Sequence, residues 1–233
     1  MKHIVIISIF TFLFSFALIA QENDIIWDYP VKPGSEQWAT FATGKQLLEA
    51  CQIPQVVLDN INTTDLVGLC LDYPLLFEYT AFSDEREGIR IMMENFNGLK
   101  ELSKRKDGAQ KLANVYKGFP VVPSIMIKKD DIPYKLILLE LLLANDSFIN
   151  QLSTDELVEL NKIVLNKYEY KLKHTDVYSI YNIKRTFLLG AVVLDKQNKS
   201  TKTQQSVIKN FIKNYNNADS SLLTEISKIL SQL

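Results

Sequence analysis

Histidine is scarce in this sequence, and its scarcity removes several kinds of chemistry. The chain has two histidines, His3, which precedes a long apolar run, and His174. A metal site built from several histidines, the HExxH motif of zinc proteases and any mechanism that needs two histidines beyond that run are therefore excluded. A cysteine–histidine nucleophile would have to unite Cys51 or Cys70 with His174 across the fold, and the apolar surroundings of both cysteines argue against it.

Glycine and proline are also few, with 8 and 7 residues in a chain of 233. The pair Gly44-Lys45 lacks the upstream glycine of a phosphate-binding loop, and no nucleophile elbow, Cys-x-x-Cys pair or EF-hand loop occurs. We therefore expect no cofactor, no bound metal and no identifiable catalytic residue. A chain rich in β-strands would need more turn residues, so the same scarcity favours helices.

Only two cysteines occur, Cys51 and Cys70, and both fall on apolar faces of predicted helices. A free cysteine in such a place behaves as a small hydrophobic residue. In an oxidising compartment, two cysteines on neighbouring helices can also join in a disulfide. The sequence is compatible with a disulfide between Cys51 and Cys70 and with two buried thiols.

The first twenty residues have the pattern of a secretory signal peptide. A basic start is followed by an apolar run from Ile4 to Ala20 and then by a polar break, which favours cleavage after Ala20, with Ala17 as the second choice. An uncleaved anchor is the alternative, although about 20 apolar residues are normally needed to span a membrane. No cysteine lies near the cleavage point, so we expect an exported protein, periplasmic or extracellular, that is not a lipoprotein.

No transmembrane helix is expected after the signal peptide. The most apolar later stretch runs from Leu136 to Leu143, which is too short to span a bilayer and is interrupted by Glu140.

Helix-start patterns recur along the rest of the chain. Thr43 with Gln46, and Ser153 with Glu156, have the spacing of capping boxes, and several prolines precede apolar residues at helical spacing. Asn97-Gly98 has the composition of a helix end. The sequence therefore predicts an all-α fold, an irregular bundle or an α-solenoid-like stack of about 9 to 11 short to medium helices.

Changes in composition divide the predicted chain into segments. After the signal peptide (1–20), an extended N-terminal arm covers 21–34, and an N-terminal helical subdomain covers 35–118. A connector rich in proline and charge covers 119–132, where a short strand at 124–128 is conceivable, and a C-terminal helical subdomain follows at 133–233.

Charge is distributed unevenly between the two halves. Residues 21–160 carry 13 basic and 22 acidic side chains, whereas residues 161–233 carry 12 basic and 5 acidic ones. The opposite charges can attract each other within one fold, or the basic half can present a surface to an anionic partner.

One basic stretch also contains several tyrosines, which can stack on sugars or anchor a protein interface. Packing in the core is the alternative role for the same residues. The candidate ligand-binding residues are Lys167, Tyr170, Lys171, Lys173, Tyr178 and Tyr181.

Paired carboxylates are the remaining route to catalysis, because glycoside hydrolysis needs only two suitably placed acids. Glu87 and Glu94 lie seven residues apart and therefore on one face of a predicted helix. The same spacing is typical of a solvated stripe of charge, and we favour that interpretation.

A resemblance covers roughly residues 27–118. The residues that carry it are Trp27-Asp28-Tyr29-Pro30, Pro33-Gly34, Ala50-Cys51-Gln52-Ile53-Pro54, Thr63-Thr64-Asp65-Leu66, Leu69-Cys70-Leu71-Asp72-Tyr73-Pro74-Leu75-Leu76, Ala81-Phe82 and Phe96-Asn97-Gly98. In these residues the chain resembles a family of secreted, all-helical bacterial proteins of unknown function. The resemblance implies a helical fold and export, and it implies no catalytic residues.

Two functions follow as hypotheses. The first is a non-catalytic interaction module that binds a protein, an anionic glycan or a lipid headgroup, with no nucleic-acid partner. The alternative is a carboxylate-dependent enzyme that acts on extracellular glycan.

Overall fold

The computed structural model describes residues 27–121 and 132–232, and within these ranges the chain is all-α, with no strand. The predicted all-α fold class is confirmed, but the described ranges hold twelve α-helices, more than the 9 to 11 predicted. The predicted signal peptide and the conceivable strand at 124–128 lie outside the described residues, as do most of the predicted connector and the first part of the predicted arm.

Twelve α-helices occur in the described ranges, together with short 3₁₀ turns. Their bounds are α1 (Gly44–Ala50), α2 (Gln55–Asn60), α3 (Thr63–Leu71), α4 (Glu85–Asn95), α5 (Asn97–Leu102), α6 (Gly108–Gly118), α7 (Ile132–Leu143), α8 (Asp146–Ile149), α9 (Thr154–Lys173), α10 (Ile180–Gln197), α11 (Lys202–Lys213) and α12 (Ser220–Gln232). The turns cover Trp38–Thr40, Leu76–Ala81 and Tyr215–Asn217.

Local capping fixes where many of these helices begin. Both predicted capping boxes are present, at Thr43 before α1 and at Ser153 before α9. A third box, which the sequence analysis missed, starts α11 at Thr201. In each box a side-chain oxygen accepts a hydrogen bond from a backbone N–H that has no partner within the helix.

The prediction that Asn97-Gly98 ends a helix is wrong. Helix α4 ends at Asn95, and α5 begins at Asn97, so Gly98 lies inside the next helix. A Cβ atom on Gly98 would lie 2.4 Å from the ring of Phe96, so glycine is required there by close packing. Among the described residues, a left-handed residue ends α10, where Asn198 has φ 52°.

Helix α7 lies at the centre of the molecule. It contacts α4, α6, α8 and α10, and the side chains from Leu136 to Leu143 are all buried. A helix that is apolar nearly all round is stable only when it is surrounded on most sides, which explains the run of leucines.

One continuous cluster of buried side chains extends from the N-terminal arm to α12. In the arm, Tyr29 is buried against Trp27 and Tyr73, and its hydroxyl donates a hydrogen bond to the Leu69 carbonyl over 2.9 Å. The arm is therefore packed onto the helices.

Polar contacts also join the two halves of the chain. Arg185 in α10 pairs with Glu85 in α4, and the Arg86 guanidinium donates over 2.6 Å to the carbonyl of Ile212 at the end of α11. Some of the opposite charges of the two halves thus pair with each other within the fold.

Two helical glycines give a matched test of this packing. A Cβ atom on Gly88 would lie 2.4 Å from the carbonyl oxygen of Tyr79, whereas a Cβ atom on Gly68 would meet nothing within 4 Å. We expect Gly88→Ala to destabilise the protein by about 1–3 kcal/mol, because α4 must move away from the Leu76–Ala81 turn. Gly68→Ala should stabilise it by up to about 1 kcal/mol through helix propensity.

Urea unfolding of the two variants beside the wild type measures both effects. A Gly88→Ala variant as stable as the wild type would contradict the close approach of α4 to this turn.

Candidate functional site

The predicted tyrosine–lysine patch is split by the fold. Lys173 and Tyr181 are exposed and Tyr170 is half-buried, but Lys167, Lys171 and Tyr178 are buried. Lys167 and Lys171, two of the candidate ligand-binding residues, turn toward acceptors inside the protein. Any ligand-binding role for this stretch is thereby confined to the side chains that solvent reaches.

Lys171 forms an ion pair in the core with Glu140 of α7. Its ammonium lies 2.9 Å from Oε1 and 3.1 Å from Oε2 of that carboxylate, and both side chains are at most 1% exposed. Thr186 of α10 and Tyr116 of α6 complete the cluster. Their hydroxyls donate to Glu140 Oε1 over 2.8 and 3.1 Å.

These contacts satisfy two charges that would otherwise be costly to bury. Lys171 also donates to the Thr186 hydroxyl over 2.7 Å, so both members of the pair have several partners. Burial and the neighbouring carboxylate raise the pKa of Tyr116 well above its usual value. None of these four residues lines either of the two pockets described below. The cluster therefore fixes α6, α7, α9 and α10 to one another and is closed to a substrate.

Lys167 is a second buried cation, one helical turn before Lys171. Its ammonium donates to the Phe119 carbonyl over 2.7 Å and lies 4.9 Å from the centre of the Tyr116 ring. Burial, aided by repulsion from Lys171, lowers the pKa of Lys167 to about 8 even though Glu140 opposes the shift. The folded protein therefore disfavours the protonated form of Lys167.

Glu87 and Glu94 flank one arginine on the exposed face of α4. The Arg90 guanidinium donates to Glu87 over 2.6 and 2.8 Å and also pairs with Glu94. Hydrogen bonds from Arg90 lower the pKa of Glu87. This is the solvated stripe of charge that we favoured.

Cys51 and Cys70 are free thiols, and both are buried. Burial raises the pKa of both thiols, which keeps them protonated and poorly nucleophilic at neutral pH. The structure thus has the two buried thiols, which was one of the alternatives left open.

Helix α11 presents the clearest basic surface. Lys202, Lys209 and Lys213 are exposed, and none forms an ion pair with a residue that the structure describes. Their spacing of seven and four residues places them on one side of the helix, which we call the basic face. The apolar side of α11 is packed inward through Ile208 and Phe211.

Two pockets open at the surface of the described part of the chain. One, of about 390 Å³, lies between α1, the Leu76–Ala81 turn and α4 and is lined mainly by apolar side chains. The other, of about 440 Å³, is more polar and includes Arg86, Asp146, Asp195 and Lys196. Lys196 lies 3.2 Å from Asp146, so one of these two acids already has a cation beside it.

Among the described residues, no three or more histidine, cysteine or acidic side chains are grouped so that they could hold a metal. Within the same residues, no helix combines the length and the apolar composition that crossing a membrane requires.

Neither a known protein family, nor a curated protein, nor a solved structure matches this chain. The resemblance noted for residues 27–118 therefore stays a prediction, and the site has to be interpreted from its own geometry.

Sequence reasoning missed the Glu140–Lys171 pair and the basic face. A lone acid in a run of leucines was a signal for a buried cation, but the sequence does not say which lysine supplies it. The spacing of Lys202, Lys209 and Lys213, with no acid between Asp195 and Asp219, was visible in the sequence.

The buried ion pair can be tested by removing one partner or both. Lys171→Met should destabilise the protein by about 3–5 kcal/mol, because it leaves the Glu140 carboxylate buried without a cation. The double variant Glu140→Leu/Lys171→Met should be more stable than the Lys171→Met single variant. Lys173→Met, at an exposed position two residues along, is the matched control and should change stability little. Urea unfolding measures the stability of each variant. If the double variant loses as much unfolding free energy as the two single variants added together, the pairing is refuted.

The lowered pKa of Lys167 predicts a specific pH dependence. Below pH 8, Lys167 is protonated in both states, so its burial penalty is fully present. Between its folded pKa of about 8 and its ordinary value of 10.5, only the unfolded chain keeps the proton, so stability rises with pH. Relative to Lys167→Met, the wild type should therefore gain on the order of 1–3 kcal/mol between pH 7 and pH 10.

Unfolding free energies of both proteins at several pH values give this difference. Lys162→Met, which changes an exposed lysine of the same helix, should show no such trend. A flat difference between the wild type and Lys167→Met would mean that Lys167 keeps its ordinary pKa.

Proposed function

We propose that this protein is an exported, non-catalytic interaction module whose basic face on α11 binds a partner with repeated anionic groups. The observation that carries the proposal is the set of exposed, unpaired lysines on a helix that contains no acidic residue. Export rests on the signal-peptide pattern of the first twenty residues.

The spacing of the face suits an extended anionic surface. The rise of about 1.5 Å per residue places Lys202 and Lys209 about 10 Å apart along the helix, with Lys213 about 6 Å further on. These separations are comparable to the Debye length of about 8–10 Å at physiological salt, so the lysines attract a nearby anionic surface together. Single phosphates or carboxylates would meet one lysine at a time.

The chemistry of the face favours a polyanion over a folded protein. Its exposed side chains are lysines with small polar neighbours such as Ser206 and Asn210, with no exposed aromatic residue and no arginine among them. Protein interfaces are enriched in aromatic residues and arginine and depleted of lysine. Lysine is a strongly hydrated point charge that attracts anions without demanding a particular geometry.

The alternative of a carboxylate-dependent enzyme has less support. The polar pocket contains two acids, Asp146 and Asp195, but Lys196 pairs with Asp146 over 3.2 Å. The apolar pocket is lined by a single acid, Glu78, and Glu87 and Glu94 share Arg90 on the exposed face of α4.

Charge reversal tests the proposal directly. The triple variant Lys202→Glu, Lys209→Glu and Lys213→Glu should lose at least about tenfold in affinity for vesicles containing phosphatidylglycerol or for soluble dextran sulfate. Wild-type binding should weaken steeply as salt is raised, because the attraction is screened. Co-sedimentation measures binding to the vesicles, and titration calorimetry measures binding to dextran sulfate. Comparing the two distinguishes a lipid headgroup from a soluble glycan-like polyanion as the ligand.

Lys100, Lys104 and Lys106 provide a matched control. They are exposed, lie in the N-terminal half and can be reversed with the same change in net charge. If this control loses as much affinity as the α11 variant, binding follows net charge and the face is not the site. The proposal would also be refuted if the wild type bound neither the vesicles nor dextran sulfate at low salt.

A further inference from the structure

The apolar pocket between α1 and α4 has the features of a ligand site. Its volume of about 390 Å³ falls within the range of small-molecule pockets. Leu47 and Leu48 of α1 form one wall, and Ile91 and Met92 of α4 form another. An apolar ligand that covers these side chains removes their surface from water, which makes binding favourable.

One side of the pocket is formed by closely packed residues. Tyr73 lines it and stacks on Phe96, with ring centres 3.8 Å apart. Gly88, also in the lining, packs against the Tyr79 backbone, and any larger residue would push α4 away from the Leu76–Ala81 turn. Tyr73 and Met92 in the walls are therefore part of the buried core, whereas Leu47, Leu48 and Ile91 are half-buried.

Two polar groups in the lining have no partner. The ring of Tyr73 is buried, but its hydroxyl reaches solvent and forms no hydrogen bond with any residue that the structure describes. The Glu78 carboxylate likewise has no cation or hydrogen-bond donor among those residues. Glu78 is exposed and the Tyr73 hydroxyl is also open to solvent, so both groups are free to bind the head group of a ligand.

The other polar residues of the lining are already engaged. The Lys45 ammonium lies 3.9 Å from Glu49, and the Asn95 side-chain amide donates over 2.7 Å to the Ile91 carbonyl. The free charge in the pocket is thus that of Glu78. It lies in the half of the chain with the negative balance, so the local field favours a cation.

We propose that this pocket binds a small amphiphile with an apolar body and a protonated amine head. The apolar body lies between α1 and α4, the amine pairs with Glu78, and the Tyr73 hydroxyl accepts or donates a further hydrogen bond. A carboxylate head would face Glu78 and is disfavoured by like-charge repulsion. This site is distinct from the basic face of α11, so either can exist without the other.

Ligands that differ only in their head group test the assignment. Octylamine, octanol and octanoate are titrated into the full chain, and binding is followed by calorimetry. Octylamine should bind roughly three- to fivefold more tightly than octanol, the advantage expected of one exposed ion pair, and octanoate should bind most weakly. Glu78→Gln should remove the advantage of the amine and leave octanol binding unchanged. Glu225→Gln, which changes an exposed acid of α12, should leave all three affinities unchanged.

Filling the pocket tests its position. Ile91→Trp, and separately Leu48→Trp on the opposite wall, should reduce octylamine binding at least about tenfold, whereas Val56→Trp, at a position 67% exposed and outside the lining, should not. Circular dichroism shows whether each variant is folded.

The proposal is overturned by any of three results. These are equal binding of the three ligands, an amine preference that survives Glu78→Gln, and binding unaffected by both pocket-filling variants in folded protein. The basic-face proposal is untouched by all three, because the α11 variants keep this pocket intact.

Discussion

Two opposite charges buried in the core set the arrangement of this protein. Glu140 and Lys171 are almost completely excluded from solvent, and each would be strongly destabilising alone. Their burial is tolerated because Thr186 and Tyr116 satisfy the remaining hydrogen bonds from two further helices. The geometry of the cluster thus requires α6, α7, α9 and α10 to pack in one register. Apolar packing supplies most of the driving force, but it is far less selective about register than a hydrogen-bonded pair of charges.

The same cluster decides which lysines are left for a partner. Lys167 and Lys171 are used inside the protein, and Arg86 and Arg185 hold the two halves together. Among the lysines that remain exposed on the basic half, three share one side of α11, whose apolar side is covered and which contains no acidic residue. The unequal charge of the two halves therefore has two physical roles. Part of it stabilises the fold, and the rest forms a surface.

The two proposed sites use different chemistry at separate places. The basic face is exposed, flexible in its side chains and dependent on long-range attraction, which suits many weak contacts. The pocket between α1 and α4 is walled by buried and half-buried apolar side chains and offers one acid and one hydroxyl, which suits a single small molecule. A protein with both could hold a small amphiphile while it associates with an anionic surface, and neither role requires a reactive side chain.

The sequence alone determined the features that depend on neighbours along the chain. Capping at Thr43 and Ser153 involves residues three positions apart, and the all-α fold follows from apolar spacing and scarce turn residues, so both could be predicted. The tertiary structure alone decided which lysines are buried, because Lys171 finds its carboxylate 31 residues away, and it decided that Gly98 continues a helix, because a ring packs on it. The pocket could not be foreseen for the same reason, since its walls come from segments that meet only after folding. Contacts within one helical turn are encoded locally, whereas contacts between distant helices depend on how every apolar face is buried at once.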